Sequence, residues 1–151
     1  MQLARPLGLG LVLLGLAAAP AEACTLALGT AGTLALSADG SRLASTEAGG
    51  IAATFTVVNL TLGTVNVIVS PPGWVDYPAG FAVAGAQLAV AYAGAGVLGA
   101  VSQPYTGTQT QFAVPGLLSL AVVMRLDNRI VSPAGFAAGT YRTRTLVTCA
   151  G

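Results

Sequence analysis

The stretch Ile51 to Asn59 leaves the chain little choice of structure. Ile51, Ala53, Phe55 and Val57 alternate with Ala52, Thr54, Thr56 and Val58. A period of two, rich in β-branched residues, puts one set on each face of a strand. The pattern recurs along the sequence. Thr64 to Ser70 turns Val65, Val67 and Val69 inward and Thr64, Asn66 and Ser70 outward. Leu117 to Leu126 sets Leu118, Leu120, Val122, Met124 and Leu126 against Ser119, Ala121, Val123 and Arg125. Thr140 to Cys149 puts Arg142 and Arg144 on one side and Tyr141, Val147 and Cys149 on the other, so that Cys149 faces the interior. Thr25 to Leu28, Thr33 to Ser37, Arg42 to Thr46 and Gln87 to Tyr92 are shorter candidates, and Gly94 to Gly107 reads as a loop or an edge segment.

Between these runs lies turn chemistry. Ala38-Asp39-Gly40-Ser41 and Asp127-Asn128-Arg129 read as turns, and Thr61-Leu62-Gly63 as a tight link joining its two flanking strands in a hairpin. Pro71 and Pro72 lack backbone donors and cannot continue a central strand. No stretch combines a 3.6-residue period with strong helix formers. Seven or so short strands separated by turns give an all-β chain, folded as an antiparallel β-sandwich. A closed β-barrel is the alternative.

The first 23 residues read as a secretory signal peptide. Arg5 supplies the positive start, Leu7 to Leu16 the short apolar run, and Ala21-Glu22-Ala23 the small-residue cleavage pattern. The apolar run ends at Pro20, well short of the ~20 residues of a spanning helix. Residues 24–151 then form a single domain. No later run is long and apolar enough to span a bilayer, and the expected location is outside the cytoplasm, in the periplasm or at the cell surface.

Cys24 opens this mature chain and Cys149 nearly closes it. Two cysteines in an exported chain argue for a disulfide, and only one pairing exists. Closing so large a loop contributes ~4–5 kcal/mol in the chain-entropy model. A competing reading treats Cys24 as a lipidation site that anchors the protein to the outer membrane. Ala21 and Glu22 depart from the residues that normally precede a lipidated cysteine. The two readings exclude each other, because a thioether sulfur cannot also form a disulfide.

Composition narrows the chemistry. Charged residues make up 7% of the chain, against a usual ~25%. There is no His and no Lys, and the net charge is +1. A few scattered arginines do not neutralise a run of phosphates, so no nucleic acid is expected as a partner. Without His the usual general base and the commonest zinc ligand are missing. The acids left after cleavage, Asp39, Glu47, Asp76 and Asp127, are dispersed, with no calcium-loop spacing. Gly94 to Gly99 fits GxGxxG, but no helix follows it. Asn59-Leu60-Thr61 fits a glycosylation sequon. No enzyme activity, cofactor or metal ion is expected.

One loop stands out in a chain poor in aromatics. Pro71 to Phe81 holds the only Trp, Trp74, together with Asp76, Tyr77 and Phe81. These four are the candidate ligand-binding residues, with a ring to stack on a sugar or partner and a carboxylate to accept hydroxyls. The plainer reading is that Trp74 and Phe81 plug one end of the core.

Two stretches carry a resemblance. LALGTAGTLALSADGSRLAS at 26–45, followed by GGIAATFTVVN at 49–59, and AGTYRTRTLVTC at 138–149 resemble secreted bacterial β-sandwich domains of the fimbrial-subunit and spore-coat-U-like kind. Ala138-Gly139-Thr140-Tyr141 matches the last motif of those families, whereas Leu28 stands where they place a Phe. The resemblance implies an immunoglobulin-like fold, secretion, and a structural or adhesion-type surface role without a reaction. If Cys24 bonds Cys149, the N-terminus is tied to its own last strand rather than free to complete a neighbour. Outward faces rich in Ala, Val and Thr, such as Thr54, Thr56 and Val58, point to self-association or to docking with another surface protein along a strand edge or face.

Overall fold

A computed structural model describes residues 24–96, 99–116 and 120–150. The expected signal peptide and Leu118 lie outside the described residues. Twelve strands are present among the described residues: β1 (Cys24–Leu28), β2 (Ala35–Leu36), β3 (Arg42–Ala44), β4 (Ala53–Asn59), β5 (Val65–Val69), β6 (Gly73–Asp76), β7 (Gln87–Gly96), β8 (Gly99–Thr106), β9 (Thr110–Val114), β10 (Leu120–Val131), β11 (Arg142–Arg144) and β12 (Val147–Ala150). One 3₁₀ turn spans Val83–Gly85, and no α-helix occurs among these residues.

The strands form an antiparallel β-sandwich. In the larger sheet the long strand β10 is the spine. One side of β10 pairs with β7, which pairs with β8. The other side pairs first with β4, which carries β1, and then with β3, which carries β2. The second layer is β12-β5-β9. The larger sheet ends in open edges at β8, β1 and β2, so the chain does not close into a barrel.

Alternation explains the core. Phe55 and Val57 of β4, Val122, Met124 and Leu126 of β10, and Val90 and Tyr92 of β7 are buried against Val65, Val67 and Val69 of β5 and Phe112 and Val114 of β9. The inward set expected for 64–70 is buried whole, and so are Val122, Met124 and Leu126 of the set expected for 117–126; of the set expected for 51–59, Phe55 and Val57 are buried while Ile51 is exposed. The Tyr92 hydroxyl, carried into this core, lies 3.0 Å from Thr110 Oγ1 and donates to it, which satisfies a buried polar group across the two layers.

Cys24 and Cys149 are joined in a disulfide, with Cα atoms 6.3 Å apart. The bond ties β1 of the larger sheet to β12 of the smaller. The Cys24 sulfur is therefore taken, and the lipid-anchor alternative, which needs that same atom, does not fit.

Three sequence expectations are corrected. First, β4 and β5 are not a hairpin; they belong to different sheets. The 60–64 link arches across the sandwich, and the Asn59 side chain replaces the missing ladder. Its Nδ2 donates to Gly63 O at 2.9 Å and to Val114 O at 2.8 Å. Its Oδ1 accepts from Thr61 N at 2.8 Å and from Thr61 Oγ1 at 2.9 Å. With its amide hydrogens committed and the residue fully buried, Asn59 is not available as a sequon acceptor.

Second, Asp127-Asn128-Arg129 is not a turn; β10 runs straight through it to Val131. Asp127 and Asn128 find hydrogen-bond partners in the strand conformation, and Arg129 finds a ring to stack on. Asp127 Oδ1 accepts from Ser45 Oγ at 2.7 Å, and Asp127 Oδ2 meets Arg125 Nε at 2.9 Å. Asn128 Oδ1 accepts from Thr145 Oγ1 at 2.9 Å. Arg129 lies 4.1 Å over the Tyr105 ring.

Third, the single last strand expected over Thr140 to Cys149 is split into β11 and β12. β12 pairs with β5 and β11 with β6. Pro71 and Pro72 lie between β5 and β6 and offer no N–H to the ladder, so pairing lapses there. Ser70 N, donating to Leu146 O at 2.9 Å, is the last bond before the gap. The stretch expected as a loop or edge at 94–107 contains β8, an edge strand bonded to β7.

Candidate functional site

The proline break releases β6 from β5 and sends Gly73–Asp76 toward one end of the sandwich. Trp74 of β6 sits in register with Thr143 of β11. The chain then turns, with Phe81 N donating to Pro78 O at 3.2 Å and Gly80 at φ 86. Only glycine takes that conformation without strain. Phe81 is thereby folded back under the tryptophan.

Three of the four candidate residues come together. The Trp74 centroid is 5.5 Å from that of Phe81 and 5.6 Å from that of Tyr77, both edge-to-face. The structure adds two rings that the loop sequence did not reveal. Tyr141 meets Phe81 edge-to-face at 5.0 Å, and Phe136 stacks on Phe81 at 5.5 Å with 12° between planes. Tyr141 Oη donates to Ala137 O at 2.9 Å, which fixes the turn before β11. The signal for Tyr141 was its inward parity on the last strand; Phe136 carried none, because it lies in an irregular connection.

Asp76 does not join the rings. It is exposed at the end of β6, in register with Arg142 of β11, with no ion pair between them. Phe81, at the centre of the cluster, is 9% exposed. Its faces and edges are occupied by the other rings, in the offset and T-shaped geometries that aromatic quadrupoles favour. Tyr77 is the most accessible ring of the cluster. Among the described residues no three His, Cys, Asp or Glu side chains converge.

Beside the cluster lies a feature without a sequence signature. A cleft of about 890 Å³ lies between β1 and β4 on one wall and β11 and the start of β12 on the other. Leu26, Leu28, Phe55, Leu126 and Val147 line it, with Arg142 and Arg144 on the β11 side. Val75, an extra residue bulged out of the β6–β11 register, and Tyr141 connect its wall to the aromatic cluster. Leu28 has the inward parity of Leu26 yet is 76% exposed, because the facing layer is not there to cover it.

Two of the threonines have committed hydroxyls. Thr54 Oγ1 accepts from Thr30 N at 2.8 Å, and Thr145 Oγ1 is spent on Asn128.

No protein-family model matches the chain, and no curated protein matches it at a significant level.

Proposed function

We propose that this is an exported, non-catalytic structural or adhesion-type protein of the periplasm or cell surface, which self-associates through the outer face of its larger sheet. One observation carries the reading. The register lines up Thr25, Val58 and Ala121 in one row and Ala27, Thr56 and Val123 in the next. The third row holds Thr54, Arg125 and Ala93. Within these rows Arg125 is the single charge, and Asp127 neutralises it. Val123 is 58% exposed.

Such a face associates at low cost. Ala, Val and Thr give up little side-chain entropy on burial, and a net charge of +1 supplies almost no repulsion between copies. A face of small methyl-bearing side chains with one neutralised charge has little to oppose contact with another copy. A disulfide is at home in the oxidising compartments where exported proteins work.

Co-expression of a tagged and an untagged copy tests the reading. The tagged wild type is expected to retrieve the untagged one. Val123→Lys, which adds a charge to the exposed face and leaves the core untouched, is expected to abolish retrieval. Retrieval unaffected by Val123→Lys and by Val58→Lys would move the association elsewhere.

A further inference from the structure

We propose that the cleft between β1 and β11 binds a single-chain anionic amphiphile of the fatty-acid type, with its acyl chain along Leu26, Leu28, Phe55 and Leu126 and its carboxylate at Arg142 and Arg144. Val58 and Val123 of the outer sheet face do not line the cleft, while Ala27 and Thr54 of that face lie at its rim. Leu28, Phe55 and Leu126 look into the space between the layers, whereas Val58 and Val123 look away from it.

The floor is continuous with the core. Phe55 and Leu126 are buried from below by the core itself, and both line the cleft from above. Leu26 and Leu28 extend that surface along β1. Toward the disulfide the layers are joined by Cys24–Cys149, and Thr145 bonds across to Asn128. A volume of about 890 Å³ is that of a small-ligand site, roughly 300–1,000 Å³, and its apolar lining is joined by polar groups on both walls, Ser45 and Asn128 on one and Arg142 and Arg144 on the other.

Charge complementarity selects the occupant. Arg142 and Arg144, both exposed and on the side of β11 opposite Tyr141 and Thr145, stand at the rim of the cleft, and no Asp or Glu lines it. Among the described residues neither arginine is in an ion pair, whereas Arg42 is held by Glu47 at 2.6 Å and Arg125 by Asp127 at 2.9 Å. A guanidinium presents a planar fork that fits a carboxylate. A second copy of the chain is poorly suited to answer it. Asp39 is committed to its own turn, Glu47 and Asp127 to ion pairs, and Asp76 lies on the same wall as the arginines. An apolar chain ending in a carboxylate satisfies both the leucine floor and the arginine pair.

Calorimetric titration of the purified disulfide-bonded protein with octanoate, decanoate and dodecanoate, each below its micelle concentration, tests this. Binding is expected to tighten about fourfold per added methylene. Decyltrimethylammonium, with the same tail and the opposite charge, is expected to bind at least about tenfold more weakly than decanoate. The exposed pair Arg142→Gln with Arg144→Gln is expected to erase that preference and keep the chain-length dependence. Leu28→Glu is expected to abolish decanoate binding, while Val123→Lys leaves it unchanged. No binding of any acid, or equal binding of the two head groups by the wild type, would overturn the proposal. So would a change of oligomeric state caused by Leu28→Glu without acid binding, because the occupant is then a second copy.

Discussion

The Asn59 side-chain amide donates to the backbone carbonyl of Val114 at 2.8 Å and so joins the last residue of β4 in one sheet to the last residue of β9 in the other. The same side chain holds Gly63 and Thr61. One residue thus sets where the chain leaves the first layer and enters the second.

Replacing it is expected to be costly. Asn59→Ala strands the Val114 carbonyl in a dry environment and unties the arch, with a loss of about 2–4 kcal/mol. Thr61→Ala removes one donor from an accessible loop and is expected to cost about 1 kcal/mol. Denaturant unfolding of the two variants checks both the size and the order.

The disulfide ties the first described strand to the last. Cys149→Ser is expected to lower stability by about 2–5 kcal/mol. Intact-mass analysis of the exported protein is expected to find the chain short of two hydrogens and without an acyl addition. An acyl mass at Cys24 would contradict the fold as described.

Gly94 of β7 lies opposite Met124 of β10. A Cβ built there comes within 2.8 Å of Val123 O and closer still to the Met124 sulfur. The fully buried Met124 side chain occupies the room that a larger residue needs. Gly94→Ala is expected to cost about 1–3 kcal/mol by overpacking, read as a lower midpoint in denaturant.

Asp39 gives a pH-dependent readout of the β2–β3 turn. The Ser37 hydroxyl, and then the Ser41 backbone N–H, bond its carboxylate and lower its pKa from the ordinary 3.8 to about 2. Because the folded carboxyl takes a proton less readily than the unfolded one, the turn's contribution is fully present above 3.8 and fades as pH falls through about 2. An NMR titration is expected to place the Asp39 midpoint near 2, and Ser37→Ala to move it back toward 3.8.

Residue types show which features a single sequence reveals. Val65, Val67, Val69, Val122 and Met124 declare their faces by parity, and all are buried. Proline chemistry likewise announces the ladder break at Pro71 and Pro72. What stayed hidden depends on partners distant in sequence. Asp127-Asn128-Arg129 carries turn residues, but Ser45, Thr145 and Tyr105 bind them in a strand. The Asn59 arch needs Val114, more than fifty positions away. Of the aromatic cluster the loop exposed Trp74, Tyr77 and Phe81, while Phe136 and Tyr141 arrive from another segment. The cleft had no local signature, because it is a space between layers rather than a run of residues.

The central claim is that the neutral outer face of the larger sheet brings copies together. Sedimentation velocity over a concentration series tests it most directly, with Val123→Lys and the cleft variant Leu28→Lys run beside the wild type. Concentration-dependent association is expected for the wild type and for Leu28→Lys, and a monomer throughout for Val123→Lys. A wild type that stays monomeric at the highest concentration would contradict the account.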